Sequence, residues 1–211
     1  NFLEKTGLTI VKENENIDRF RGRVVFPIRS MSGRILGFGG RILGSSKNIA
    51  KYINSPESLI YQKSKVLYGI FESKQSIVKN DNCFLVEGYT DVIKMHQCGI
   101  SNVVASSGTA LTENQIRLIN RLTKNITVVF DGDAAGSRAA LRGIDLILEQ
   151  GMNVKICNLP EGDDPDSFVS NKNLEEVQSY LNKNSKDFIV YKASLLLDDS
   201  ENDPVKKAAV I

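Results

Sequence analysis

From residue 83 onward the apolar positions fall into short runs separated by segments of helical period. Cys83 to Val86 is one such run, and Asn102 to Ala105, Ile126 to Phe130 and Val154 to Leu159 repeat it. Runs this short, rich in β-branched residues and bounded by Gly, Asn or Asp, read as buried strands. Between them lie Asp91 to Gln97 ended by Gly99, Leu111 to Leu122, and Ala134 to Gln150 ended by Gly151. The last places Ala140, Ile144, Ile147 and Leu148 on one helical face. Thr112 and Gln115 stand at capping-box spacing, with Leu111 and Ile116 able to form a hydrophobic staple across it. Strands and helices alternating through short joins predict a parallel sheet covered by helices. Such sheets bind ligands just beyond the carboxyl ends of their strands.

The pattern upstream is different. Arg21, Arg23 and Arg29 share one parity, while Val24, Phe26 and Ile28 share the other, as in a strand with one wet face. Met31-Ser32-Gly33 supplies a turn, and Arg34 to Leu43 can return as a second strand. Gly37, Gly39 and Gly40 permit a bulge or a close approach to a ligand backbone, and Pro27 argues for an edge or bulged position. Ser73 to Asn82 reads as a short polar helix end or linker.

Composition changes this picture little, since 211 residues at 41% apolar suit one substantial core or two small ones. No apolar run approaches the roughly 18 to 20 residues of a membrane-spanning helix, and the first residues lack a signal-peptide plan. A soluble, unsecreted chain without membrane contact is expected. It starts without Met and closes on a helix-like stretch from Pro204 to Ile211, the expectation for a piece of something longer. Cys83, Cys98 and Cys157 are an odd count without a Cys-x-x-Cys, and His96 is the sole histidine, so neither a zinc site nor a disulfide framework is expected. His96 reads as a helix-surface residue.

Charge changes it more. The net charge of +2 hides a split: residues 1–71 hold 12 Lys/Arg against 5 Asp/Glu, a net +7, and residues 72–211 carry −5. From Arg19 to Pro56 there is no acid, but eight bases occur. That stretch is either a polyanion surface or a solvated basic hairpin.

Three of the four strands are followed by carboxylates: Glu87-Gly88-Tyr89-Thr90-Asp91, Asp131-Gly132-Asp133-Ala134-Ala135-Gly136, and Glu161-Gly162-Asp163-Asp164-Pro165-Asp166. Parallel strands would put all three on one rim, where they repel unless divalent cations neutralise them; hard oxygen ligands suit Mg2+ or Mn2+. The second strand ends in Ser106-Ser107-Gly108-Thr109, a small-residue turn able to offer backbone N–H groups to a phosphate. Each cluster has a plainer reading: Asp131 and Asp133 as caps or an Asp-Gly turn, and Asp164-Pro165-Asp166 as a turn before a helix. An EF-hand is excluded, because positions 5 and 12 of that loop would be Ala135 and Arg142.

These residues resemble the catalytic core of bacterial DnaG-type primases, built around a Toprim domain. The resemblance rests on Glu87-Gly88-Tyr89-x-Asp91, Asp131-Gly132-Asp133-x-Ala135-Gly136 and Asp164-Pro165-Asp166, together with Arg23 to Arg29, Gly37 to Arg41 and Lys51 to Glu57 upstream. It implies an α/β fold: a Toprim-type parallel sheet flanked by helices (81–170), an N-terminal basic β-rich α+β subdomain (1–80), truncated at its start, and the beginning of a helical subdomain (171–211). It implies RNA primer synthesis for replication by metal-dependent nucleotidyl transfer. Glu87, Asp131 and Asp133 would be catalytic, and Asp164 and Asp166 would join them as ligands for Mg2+ or Mn2+. Asp91, one helical turn on, would support them from behind. Arg19, Arg21, Arg23, Arg41, Lys51, Asn54 and Lys63 would contact NTPs or nucleic acid. Implied partners are a single-stranded DNA template, the RNA–DNA hybrid, NTPs, and the replicative helicase through a domain absent here; the implied location is the bacterial cytoplasm at the replication fork. The zinc module of such primases is not expected in this stretch, and with the earliest part of the basic subdomain cut off, weak or no primer synthesis is expected from it. Competing readings are a Toprim nuclease or topoisomerase, a non-catalytic nucleic-acid-binding Toprim protein, and a haloacid-dehalogenase-like phosphatase. The last usually has Thr or Val where Ala135 stands, and leaves Glu87-Gly88 unexplained.

Overall fold

The computed structural model describes residues 2–13, 15–44, 49–108, 110–132 and 138–199, with backbone alone for 138–141 and 194–199. In chain order the first part comprises α1 (Phe2–Lys5), β1 (Thr9–Val11), β2 (Asn16–Asp18), β3 (Arg23–Arg29), β4 (Ile35–Ile42), β5 (Tyr52–Asn54) and a 3-10 turn (Lys63–Lys65). Then follow α2 (Ile70–Asn80), β6 (Cys83–Val86), α3 (Tyr89–Gln97), β7 (Val103–Ala105), α4 (Glu113–Asn120), β8 (Asn125–Phe130), α5 (Arg138–Glu149), β9 (Asn153–Asn158) and α6 (Pro165–Ser170). The described chain closes with α7 (Leu174–Asn184), β10 (Ser185–Asp187) and α8 (Phe188–Asp199).

All four expected strands of the second part pair in parallel, in a five-stranded sheet of order β10-β9-β8-β6-β7. β8 buries Ile126 through Phe130 without a break, as a strand covered on both faces must. On one face Leu85, Val104, Val128 and Ile156 pack with Ile70 and Ile77 of α2, Ile116 and Ile119 of α4, and Ile144 and Ile147 of α5. On the other, Val86, Val103, Val129 and Cys157 pack with Val92 and Met95 of α3, Phe168 of α6, and Val177 and Leu181 of α7. The capping box forms: Thr112 Oγ1 accepts from the Gln115 N–H at 3.3 Å, and Gln115 Oε1 accepts from the Thr112 N–H at 3.1 Å.

Three local expectations change. Ser73 to Asn80 belong to α2, a regular helix whose Ile70, Ser73 and Ile77 are buried and whose C-cap is Asp81; its other polar residues lie on the outer face. His96 is half-buried, 3.0 Å from Ser73 Oγ, and burial pulls its pKa down. Between residues 171 and 199 the chain forms α7 and α8, and β10 between them pairs antiparallel with β9 and extends the same sheet.

The basic part is a three-stranded antiparallel sheet, β3-β4-β5, with Pro27 on the edge strand β3. Phe26 and Ile28 point inward as their parity predicts, but Val24 is 40% exposed, because the core contacts of β3 begin only at Phe26. The irregularity sits between Ile28 and Arg29, where β4 carries the extra residue Leu36 beside Gly37. The glycines of β4 instead make room for aromatic side chains: a Cβ at Gly37 would meet Tyr61, one at Gly39 Tyr89, and one at Gly40 Phe20. The acid-free stretch also finds part of its counter-charge elsewhere, since Arg29 Nε lies 3.4 Å from Glu72 of α2. Tyr68 bridges Ala105 through two backbone hydrogen bonds, covering the free edge of β7 and joining the two parts.

Gly39→Ala drives a methyl into the Tyr89 ring and is expected to cost about 1–3 kcal/mol as an overpacking substitution. Urea unfolding measures it; a loss below about 0.5 kcal/mol would show that the ring can move aside.

Candidate active site

Sheet order selects the location. The connection from β6 leads to β7 on one side, and the chain returns to β8 on the other, so the ends of β6 and β8 flank a switch point in the sheet. β6 ends at Val86 and delivers Glu87; β8 ends at Phe130 and delivers Asp131. The third acidic cluster is pressed against the second. Gly132 N–H donates to the Asp163 carbonyl at 3.1 Å, and a Cβ at Gly132 would overlap the Pro160 carbonyl and Glu161. Here glycine is required by close approach of two backbones.

Asp164 performs two tasks. One of its oxygens caps α6, accepting from the Ser167 N–H at 2.7 Å, while the residue also lines the cleft with Asp166. Capping and site residence are therefore compatible.

Asp91 is buried, and its Oδ2 accepts from the Gly88 N–H at 2.7 Å. Burial pushes its carboxyl from 3.8 up to about 6; the Gly88 N–H opposes this, and the charges of Asp164, Asp131 and Asp166 add to it. The smaller, electrostatic part of that response comes from carboxylates that follow the other two strands.

Together these residues form one wall of a cleft of about 340 Å³, which holds Glu87, Asp91, Asp131, Asp164 and Asp166. The basic sheet supplies Arg41, Lys51 and Tyr52 to the same cleft, and Ser107 and Gly108 complete it. Arg41 pairs with Tyr52 across β4 and β5, its guanidinium 5.6 Å from the Tyr52 ring centre; the Lys51 ammonium lies 6.0 Å from it. Cations held over an aromatic face beside a wall of acids suit a ligand carrying phosphates and a planar base.

The remaining candidates lie elsewhere. Arg19 and Arg21 occupy the turn before β3, and Lys63 lies in the 3-10 turn against Gln115; none of the three lines the cleft. Arg23 directs its guanidinium at backbone, 3.2 Å from the Lys51 carbonyl. Asn54 lies between Tyr89 and Ser107, hydrogen-bonded to both. Asp133 and Thr109 fall outside the described residues. The Ser107 N–H is already committed and cannot serve a phosphate, because it donates to the Glu87 carbonyl at 2.9 Å. Sequence reasoning did not single out Tyr52 or Tyr89 as site residues; the signal for Tyr89 was the glycine run of β4, which required a bulky partner from elsewhere.

Residues 1–74 match the family described as DNA primase catalytic core, N-terminal domain, and residues 84–169 match one described as Toprim-like. A DNA primase of Clostridium acetobutylicum is 44% identical over 206 residues, covering 95% of this chain and 34% of that protein. The crystal structure of a DNA primase domain from Pseudomonas aeruginosa superposes with a TM-score of 0.88 at 37% identity, covering 98% of this chain and 65% of that one. A DnaG primase catalytic domain bound to ssDNA superposes with a TM-score of 0.86 at 35% identity, covering 99% and 68%. The chain belongs to the DnaG primase catalytic-core family. It spans about a third of the length of the DnaG-type primases it matches in sequence. The match over residues 1–74 separates it from the topoisomerases, nucleases and recombination proteins that share only the Toprim part.

Toprim-type primase cores depend on divalent metal ions. The donor set of this DnaG-type core fits such an ion: hard carboxylate oxygens, whose charges add to the burial that raises Asp91, in one cleft with Arg41 and Lys51. Among the described residues no group of three acids is close enough to hold one ion together, and Asp133 lies outside them.

Because the folded pKa of Asp91 is raised, protonation favours the fold; this contribution is fully present below pH 3.8 and is lost as pH rises through about 6. In metal-free buffer the native chain should lose on the order of 2–3 kcal/mol relative to Asp91→Asn between these limits. Parallel stability curves for the two proteins in chemical denaturation would refute this.

Proposed function

We propose that this chain forms the nucleotide- and template-holding part of a primase core, which joins ribonucleotides on single-stranded DNA. The reading is carried by one observation: acids from three strand ends share a cleft with two cations and an aromatic ring from the basic sheet. The similar DnaG catalytic domain bound to ssDNA supports a single-stranded template. A 3′-hydroxyl attacks the α-phosphate of an NTP and pyrophosphate leaves. Arg41 grips phosphate oxygens bidentately and Lys51 adds a point charge, while Tyr52 offers a face for a base. Glu87, exposed at the end of β6, accepts the proton of the attacking hydroxyl or serves as a ligand. Asp131, Asp133, Asp164 and Asp166 would hold Mg2+ or Mn2+. When bound, the ion supplies neutralisation of the charge that develops on the phosphates. Arg19, Arg21 and Lys63 would meet template or hybrid phosphates beyond the cleft, with Arg23 holding the basic sheet behind them.

In this reading residues 1–80 hold nucleic acid, 81–170 form the Toprim part, and 171–211 begin a helical part that would continue in a longer protein. That protein would meet the replicative helicase through a further domain, in the bacterial cytoplasm at the fork. Among the described residues no helix is long and apolar enough to cross a membrane.

Two measurements test it. Asp131→Asn should abolish or weaken Mn2+ binding by at least about tenfold in calorimetry with the fold intact; unchanged binding would remove the metal role. Arg41→Ala and Lys51→Ala should each weaken binding of a fluorescent single strand several-fold and lower the slope of log K against log salt by about 0.7 per lost phosphate contact. Unchanged affinity at low salt would take them out of the site. Nicking of supercoiled DNA by the full-length protein, without primer synthesis, would turn the reading towards a nuclease.

A further inference from the structure

The acid wall and the basic wall belong to different sheets, and beside the Tyr68–Ala105 bridge and a 3.4 Å contact of the Tyr52 and Thr90 hydroxyls, one buried side chain links them next to the cleft. Tyr89 is the first residue of α3, two positions after Glu87, and only 2% exposed. Its ring stacks on Phe26 of β3 at 5.1 Å with parallel planes and meets Tyr68 edge-on at 4.7 Å. It fills the space that Gly39 leaves open on β4. Its hydroxyl donates to Asn54 Oδ1 at 2.7 Å. Asn54 Nδ2 donates onward to the Ser107 carbonyl at 3.4 Å, and the Ser107 N–H donates to the Glu87 carbonyl at 2.9 Å.

These bonds close a ring. It leaves the backbone at Glu87, passes through Gly88 and Tyr89, crosses to Asn54 on β5, returns through Ser107 and ends at Glu87. Asn54 shares its strand face with Tyr52, two residues earlier, and follows Lys51 by three. A shift of β5 relative to the end of β6 therefore breaks the ring, and the same shift moves Lys51 and Tyr52 away from the carboxylates. Burial pushes the Tyr89 phenol up, so it remains a hydrogen-bond donor throughout the working pH range.

We propose that Tyr89 and Asn54 are positioning residues: their hydrogen bond sets the register of the basic wall over the acid wall, and so governs binding of a metal-bound nucleoside triphosphate. The proposal rests on the reading of the cleft given above. A ligand touching one wall is indifferent to that register; a ligand spanning both depends on it.

Tyr89→Phe removes one oxygen and keeps the ring. Three titrations of the 211-residue chain separate the possibilities: Mn2+ alone, an oligo(dT) strand alone, and ATP with Mn2+. Tyr89→Phe and Asn54→Ala should each leave the first two within about twofold and weaken the third by about tenfold, with the double variant no worse than either single one. Unchanged Mn2+–ATP affinity overturns the proposal, and so does a parallel loss for all three ligands, which is the signature of general destabilisation. If the native chain binds neither Mn2+ nor Mn2+–ATP, the functional reading fails, and the Tyr89–Asn54 link is judged by hydrogen exchange alone. Peptides covering residues 52–54 and 105–108 should exchange faster in Tyr89→Phe while those of β8 and α4 do not; equal rates everywhere overturn it.

Discussion

Gathering carboxylates at one end of a sheet costs free energy, because each ionised group raises the work of ionising the next. Asp91, raised mainly by its burial, feels a smaller share of that cost from the charges of Asp164, Asp131 and Asp166, and the order of the strands imposes it. Once β6 and β8 are neighbours and parallel, Glu87 and Asp131 must emerge side by side; once β9 joins β8, the loop from Pro160 to Asp166 must fold over the turn at Gly132. The apolar cores on both faces hold the strands in this order. The rim stays crowded because the sheet cannot rearrange to relieve it.

The basic sheet answers that constraint from across the cleft. It carries no carboxylate between Arg19 and Pro56, and it brings Arg41 and Lys51 to the cleft that the acids line. Docking depends on shape as well: three glycines of β4 each admit an aromatic ring, and the ring at Gly39 comes from the acid-bearing turn itself. Coulomb attraction alone is non-directional; the interlock of Tyr89 with Phe26, Tyr68 and Asn54 supplies direction.

Much of this was legible in the chain. The four buried strands, the helices between them and the capping box at Thr112 were readable because each follows from local periodicity or a spacing of three residues. The acid clusters were readable because parallel strands carry their ends to one rim. The glycines of β4 were legible as a bulge or a close approach to a ligand backbone but not as room for aromatic rings, since a missing side chain says only that something approaches. Arg23 reads as a binding residue from strand parity and the family resemblance, and neither reveals that its guanidinium reaches the Lys51 carbonyl. His96 and the stretch from Ser73 were read as surface, because local polarity does not reveal which face a helix turns to the sheet.

The sequence by itself determined the parallel strands and helices of the second part, the split of charge and the family, since each is written in neighbouring residues. Only the tertiary structure decided which cations face the acids: Arg41 and Lys51 but not Arg23 or Lys63. It also decided that an aromatic residue inside the acidic motif packs into the basic sheet and helps to join the two parts. The physical reason is the same in both cases. Register between two sheets is set by side chains distant in sequence, such as Tyr89 and Gly39, whose fit no local pattern encodes.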